Sequence, residues 1–494
     1  MENRRQKKAR IQKVTIALFL AVMAFVFLLN SPLHPWIQSD ANTDSSVFQT
    51  IALMMRKGYM PYRDSFDHKG PLLYILNYLG QNISAYNGIW FVEFVSLCIT
   101  FGVLYEVAKI AKISDAQALI AEFTGISLLF HYFEGGNLTE EFALPFISIG
   151  IYIFLDYFIN QKINKMRLML CGFCLAGVSL LRANMIGVWI VFCIAVFIMC
   201  IATKNFIRIC QFVIWFTIGF ALLFLPIMIW LAVRGAFSEF LFDYIKFNSI
   251  YVSTEGGKAL FAEKWNTFFA FGNSWVYTFA FICTIYLGVK RNRFFHGVYL
   301  CNLLLNLGLI AMSGLVYNHY GMVLIPLVVF PVAEIFEYCN ENSGELVSFG
   351  FMAFLLCNVI VGQWENNASG IIRIYDDRKT DHFSEEIRAI SQEVQKHTSE
   401  EDKISVYGNW DLVYIISERE HATRYSYQFP IGVVLPDIME SYYNEIEEEQ
   451  PKVIVIQKGF FDEKMEQFLE KYQYENVWSA DAAAPQNSHM VFEK

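Results

Sequence analysis

The sequence predicts a polytopic α-helical membrane protein of about eleven spans that ends in a small soluble α/β domain. Three observations predict it. Apolar residues make up 55% of the 494 residues and charged residues only 17%, against roughly 25% charged in an ordinary soluble domain. The apolar residues fall in long runs, several of them reaching the roughly 20 residues that carry a helix across a bilayer. Charge is also split: from Gln363 onward there are 13 basic and 26 acidic residues, whereas the preceding part is slightly basic. That balance argues against nucleic acid as a partner. A soluble enzyme, a disordered chain and a disulfide scaffold are excluded.

The head MENRRQKKARIQK carries six basic residues and leads directly into an apolar run over 14–30. No small-x-small cleavage site follows, so the run reads as a retained first span rather than a signal peptide. Further spans are expected at 88–108, 116–133, 142–160, 167–182, 185–203, 207–232, 268–289, 295–313, 321–338 and 346–362. With the N-terminus in the cytoplasm, the cytoplasmic connections hold Lys109 and Lys112; Lys162, Lys165 and Arg167; Lys204 and Arg208; and Lys290, Arg291 and Arg293. That is the pattern of the positive-inside rule. Loops 31–87 and 233–267 and the tail 363–494 then share the outer face, which divides the chain into a membrane domain (1–362) and an extracytoplasmic domain (363–494) of a multi-pass plasma-membrane protein. The ten cysteines lie in or beside apolar runs, and Cys171 and Cys174, within LMLCGFCLAG, read as packing residues rather than a redox pair.

In the tail, 403–408 and 452–457 (KVIVIQ) read as short buried strands. Segments 381–397 and 461–472 have helical spacing, with Ile387, Ile390 and Val394 on one face. No internal repeat and no phosphate-binding or dinucleotide fingerprint is present.

The chemistry concentrates in the first outer loop. Val47, Phe48, Ile51, Met54 and Met55 share one helical face, predicting an amphipathic helix over 45–57 on the membrane surface, stopped by Gly58 and Pro61. Asp44 opens this helix, either as its N-cap or as a general base, and Asp40 is a weaker candidate for the same work. The run Asp64-Ser-Phe-Asp67-His68-Lys69-Gly70-Pro71 is either a solvated turn with local ion pairs or an anion or metal site. In the second outer turn Glu140 and Glu141 either cap the next helix or act at the mouth of the span. Arg182 interrupts an apolar stretch as a snorkelling or phosphate-binding residue. His319 and Tyr320, in Tyr317-Asn318-His319-Tyr320, open the tenth span. Carboxylates beside Lys and Arg at one membrane boundary suit transfer from a lipid-linked phosphate donor.

The run D-S-S-V-F…M-M-R-K-G-Y-M-P-Y-R-D-S-F-D-H-K-G-P-L-L-Y resembles the first-loop signature of bacterial integral-membrane C-type glycosyltransferases. That superfamily includes the protein O-mannosyltransferases and the aminoarabinose transferase of lipid A. G-G-N-L-T-E-E-F-A-L-P-F, L-L-R-A-N and N-H-Y-G-M-V-L-I-P follow in the same order. The resemblance covers 14–340. It implies a polyprenyl-phosphate sugar donor, an envelope acceptor and an inverting single displacement. By position it makes Asp44 the base and Glu140 the residue that orients the acceptor or assists Asp44, with Glu141 its substitute. Lys69 would neutralise the donor phosphate, and Arg182 and His319 fall at phosphate-contacting positions. Some relatives hold a divalent metal here and others do without; Asp67 and His68 are the residues that would ligate one, and no metal is assigned. The rival reading is a flippase or transporter of lipid-linked sugars, which would place its ionisable residues near mid-bilayer at broken helices rather than at one boundary.

Overall fold

A computed structural model of the protein describes residues 2–161, 163–254, 275–312, 317–358, 372, 383–480 and 488–494. The chain divides into two compact units. One contains Met1–Ser31, Glu93–Ile227 and Lys258–Asp376; the other contains Pro32–Val92, Met228–Gly257 and Asp377–Lys494. We call them the span unit and the loop–tail unit.

The span unit is built of apolar helices. Among the described residues six helices are long and apolar enough to cross a membrane: Gln6–Leu28, Gly88–Lys109, Thr139–Asn160, Phe206–Val233, Arg293–Ala311 and Asn318–Asn342. Shorter apolar helices cover Gly187–Ala202, Trp275–Lys290 and Glu345–Asn358. This is the architecture of a multi-pass membrane protein. The span expected at 116–133 is two pieces, Asp115–Ile126 and Leu129–Tyr132, and that expected at 167–182 is the helix Lys165–Ser179. Residues 268–274, 313 and 359–362 of the expected spans, 255–267 of the second long loop, and the boundary at 363 lie outside the described residues.

Helix contacts in this unit follow from small residues and charge pairs between helices. Lys165–Ser179 and Phe206–Val233 touch backbone to backbone, because a Cβ on Gly172 would fall 2.0 Å from the Phe216 carbonyl oxygen and one on Gly219 1.8 Å from that of Met169. Small residues permit such close approach in membrane helices. Asp156, at the end of its helix, pairs with Arg167 across the short turn. Arg291 spans Glu337 and Glu341, while His296 donates to Glu334 at 3.1 Å. Cys171 and Cys174 are buried free thiols among helices, as expected of packing residues.

In the loop–tail unit the tail forms a five-stranded sheet among the described residues. Its strands are β1 (Lys403–Tyr407), β2 (Glu420–His421), β3 (Val453–Gln457), β4 (Glu475–Ser479) and β5 (His489–Glu493), in the order β2-β1-β3-β5-β4. The first three run parallel, with Ile404 opposite Val453 and Tyr407 opposite Ile456; β5 is antiparallel to both β3 and β4. Ile404, Val406 and Val453–Ile456 are fully buried, as central strands covered on both faces require. Helix Glu385–His397 buries the expected Ile387, Ile390 and Val394, and Glu463–Tyr472 is capped by Asp462 and buries Met465, Phe468 and Leu469.

The first loop supplies two helices to this unit, Thr43–Arg56 and Pro71–Gln81. Gly58 has φ +98 and ends the first, as its sequence position predicts. The amphipathic surface helix expected over 45–57 takes a different form. Ser45, Ser46, Gln49 and Thr50 are buried along with Val47, Phe48 and Ile51, because Pro71–Gln81 covers one side and the tail helix Leu412–Ser417 the other. Its polar side therefore faces protein, with Gln81 donating to the Gln49 carbonyl at 2.8 Å and Thr50 donating to the Asp411 carbonyl at 3.2 Å.

Candidate functional site

Each unit gathers its own cluster of the residues singled out in the sequence. In the span unit Glu140 lies in the first turn of Thr139–Asn160 and is buried; its carboxylate accepts from Arg182 and from the Thr139 hydroxyl. Arg182 follows the end of Lys165–Ser179, where Leu180 closes the helix and the backbone turns extended. Its guanidinium lies 3.9 Å from the centroid of the Tyr320 ring. An arginine there is neither free at the interface nor snorkelling: a carboxylate and an aromatic face fix it. Tyr320 is buried next to His319, whose Nδ1 donates to the Glu134 carboxylate at 2.6 Å; the His319 ring also stacks on Tyr317 at 5.5 Å and 12°. Because a carboxylate only accepts, that contact puts the proton on Nδ1.

Glu134 enters through a backbone that sequence reading did not anticipate. Glu134, Gly135, Gly136 and Asn137 all have positive φ, at 46, 92, 85 and 55°. Left-handed non-glycine residues cost energy and persist only where surroundings hold them. Here the Asn137 N–H donates to Glu93 at 2.6 Å and to Glu141 at 2.9 Å, and a Cβ on Gly136 would lie 2.2 Å from the Glu93 Oε1. Glu141 thus secures the loop from the first helical turn. The N-cap of this helix is Leu138 with no side-chain cap; Glu140 and Glu141 lie in the first turn, as expected of acids at a helix start, and Glu141 takes the Asn137 N–H just before it. Glu93 was legible as one acid within the apolar run GIWFVEFVSL; its partner Asn137 was not.

In the loop–tail unit Asn42, not Asp44, is the N-cap of Thr43–Arg56: its side chain accepts from the Ser45 N–H at 2.7 Å. Asp44 occupies the first turn and is partly exposed, and among the described residues no group hydrogen-bonds to its carboxylate. Asp40 is engaged elsewhere, accepting from the Ser384 N–H at 3.0 Å. Asp67 is buried and accepts from the hydroxyls of Tyr74 at 2.8 Å and Tyr427 at 2.9 Å and from the His68 N–H at 2.7 Å. Burial pushes its carboxyl up, and Lys69 and the two hydroxyls pull it back down. Lys69 donates to His68 Nε2 at 3.0 Å. The run 64–69 is therefore a built cluster around one buried carboxylate, while Asp64 alone makes the expected local ion pair, with Arg63 at 2.7 Å. Among the described residues no group of three or more His, Cys, Asp or Glu side chains could hold a metal ion.

The fold compares with solved structures over nearly the whole chain. The crystal structure of ArnT from Cupriavidus metallidurans bound to undecaprenyl phosphate matches with a TM-score of 0.64 at 11% identity, covering 98% of each chain. The apo structure of the same protein matches with a TM-score of 0.62, again at 11% identity and 98% of each chain. The chain thus shares the fold of these ArnT structures. No curated protein matches it in sequence. The family model described as the competence-induced protein Ccs4 N-terminal domain matches residues 2–343, more than half of the chain, and the protein belongs to that family.

Proposed function

We propose that the protein is a membrane glycosyltransferase that moves a sugar from a polyprenyl-phosphate carrier to an envelope glycan, lipid or protein acceptor on the outer face of the plasma membrane. The observation that carries this reading is the arginine of the span unit. Arg182 presents a permanently charged planar fork, held by Glu140 and backed by Tyr320, which is the chemistry that takes a phosphate. The fold shared with a protein crystallised with undecaprenyl phosphate supports the same donor class.

In the reaction, the acceptor hydroxyl gives its proton to Asp44 while its oxygen bonds to the anomeric carbon. The bond from that carbon to the phosphate oxygen breaks, its electron pair stays on the phosphate, and the anomeric configuration inverts. Asp44 suits the base because its carboxylate is uncommitted among the described residues. By the first-loop resemblance Lys69 neutralises the leaving phosphate; in the span unit Glu140 positions Arg182 for a phosphate, and His319 is fixed by Glu134 as a further donor.

The topology belongs to the same proposal. Within the loop–tail unit, segments 32–92, 228–257 and 377–494 bond to one another: Arg63 donates to the Arg234 carbonyl at 2.8 Å, and Arg424 pairs with Asp243 at 2.6 Å. This bonding supports a topology with all three on one side of the membrane, which requires even numbers of crossings between them. The eleven expected spans place six and then four between them. With a basic N-terminal head in the cytoplasm, that side is the outside.

The test is binding of undecaprenyl phosphate to the purified full-length protein in detergent. Saturable binding that Arg182→Ala weakens at least tenfold is expected. Absence of saturable binding, or binding indifferent to Arg182, contradicts the reading.

A further inference from the structure

Four residues of the tail segment 420–427 make polar contacts with the first loop. Glu420 accepts from the Tyr59 hydroxyl at 2.8 Å and pairs with Lys57 at 3.2 Å. His421 Nε2 and the Ser65 hydroxyl are 2.8 Å apart. The Arg424 carbonyl accepts from the Phe66 N–H at 2.7 Å, and its guanidinium donates to the Tyr62 carbonyl at 2.7 Å as well as to Asp243. Last, the Tyr427 hydroxyl donates to Asp67. These contacts fall on loop residues between 57 and 67.

The tail delivers that last hydroxyl from a fixed place. Gln428, the next residue, is bonded to the carboxyl end of β1: its amide donates to the Val406 carbonyl at 3.0 Å, and its oxygen accepts from the Gly408 N–H at 3.1 Å. In open α/β sheets with parallel strands, ligands sit beyond the carboxyl ends of the strands where the strand order reverses. Here β1 lies between β2 and β3, so that place is at its carboxyl end. The first loop occupies it, through Tyr427 on Asp67 and Thr50 on the Asp411 carbonyl. The surroundings of the Asp67 carboxylate complete the joint. Tyr74 holds its second oxygen, Asn248 donates to the His68 carbonyl at 2.7 Å, and the His68 ring stacks on Tyr251 at 5.7 Å and 22°.

We propose that the C-terminal α/β domain is part of the donor-binding machinery, and that Tyr427 is a positioning residue which fixes the Asp67-His68-Lys69 run through Asp67. The proposal rests on the glycosyltransferase reading, in which Lys69 meets the donor phosphate. Asp67 links the sheet to Lys69 directly: its carboxylate takes the Tyr427 hydroxyl, and its chain continues through His68 into the lysine, whose carbonyl is also held by the Tyr62 and Tyr74 hydroxyls. Without the tail hydroxyl, Asp67 keeps one hydroxyl from its own loop and loses its tie to the sheet.

Tyr427→Phe keeps the ring and removes only the hydroxyl. We would measure melting, hydrogen exchange over residues 59–70, and KM and kcat for a polyprenyl-phosphate sugar in the full-length protein. Lys471→Ala, at an exposed tail lysine, is the control. Melting close to wild type, faster exchange over 59–70, and a donor KM at least fivefold higher with kcat within twofold are expected. A purely structural hydroxyl would lower melting and leave the KM-to-kcat split untouched, which overturns the proposal, as does a change in kcat alone. Should Tyr427→Phe fail to fold, Ser65→Ala loosens the same joint from the loop side and must also speed exchange over 59–70; unchanged exchange overturns the proposal. If wild type transfers no sugar, the glycosyltransferase reading fails on its own. Exchange then decides the tether separately, and equal exchange in Tyr427→Phe and wild type rejects it.

Discussion

The Arg182 guanidinium lies 3.9 Å from the centroid of the Tyr320 ring, with the Glu140 carboxylate taking one of its nitrogens. Cation–π contacts of this kind are worth about 0.5–2 kcal/mol, more when water is excluded. Arg182→Lys keeps the charge and loses both the planar fork and the stacking, so undecaprenyl phosphate binding should fall about tenfold, as one such interaction implies. Tyr320→Phe keeps the ring face and should bind nearly as wild type, whereas Tyr320→Ala should resemble Arg182→Lys. Equal binding in all three would show that the ring does not hold the guanidinium.

Separating the cap from Asp44 gives a cleaner catalytic test than sequence alone allows. Asn42→Ala removes the cap and should cost about 1 kcal/mol of stability with activity retained. Asp44→Asn leaves the cap in place and removes only a proton acceptor, so melting should be unchanged and transfer should fall about 10²–10⁴-fold. Asp40→Asn, whose native carboxylate holds Ser384, should stay active. An active Asp44→Asn protein would move the base elsewhere, with Glu140 the next candidate.

Those two residues also show how far the sequence could be read. Periodicity located the helix that Asp44 opens, and its stop at Gly58, because both are local. Of the two roles it left open for Asp44, the cap belongs instead to Asn42; the two residue types are equally good cap formers and only backbone geometry separates them. The expectation of a solvated polar face failed because the partners of Gln49 and Thr50, Gln81 and Asp411, lie further along the chain. The Asp67–Tyr427 bond joins residues 360 positions apart, and nothing in the run RYSYQ marks Tyr427 from its neighbours. Long apolar runs were legible for the opposite reason: lipid imposes the same demand on every residue of a span. Strands β4 and β5 went unread because β4 is largely exposed and so lacks the alternation of a half-buried strand.

His421 makes stability of the loop–tail unit depend on pH. Burial lowers its pKa from 6.5 to about 4, so between those values the unfolded chain holds a proton that the folded chain does not. Stability therefore rises with pH across that window and is lost as pH falls through it. His421→Gln should flatten this part of the melting-temperature profile between pH 4 and 6.5 while leaving values near pH 7 less affected. An unchanged slope would assign the acid loss to other groups.

The helix crossing at Gly172 and Gly219 is a stability prediction independent of chemistry. Either glycine replaced by alanine forces its Cβ onto a facing carbonyl oxygen, and overpacking of this kind costs about 1–3 kcal/mol. Detergent-extracted protein should melt lower in Gly172→Ala and Gly219→Ala, while Gly308→Ala, where a Cβ meets nothing within 4 Å, should not. Equal melting in all three would mean that the two helices do not cross at these glycines.

The central claim is sugar transfer from a lipid phosphate, and the most direct measurement is transfer by the purified full-length protein. A panel of radiolabelled polyprenyl-phosphate sugars would be supplied with an envelope extract as acceptor. The account predicts that at least one donor loses its sugar to the envelope fraction and releases polyprenyl phosphate, and that Asp44→Asn and Arg182→Ala abolish this while remaining folded. Folded wild-type protein that consumes no donor in the panel, or variants that transfer as well as wild type, would contradict it.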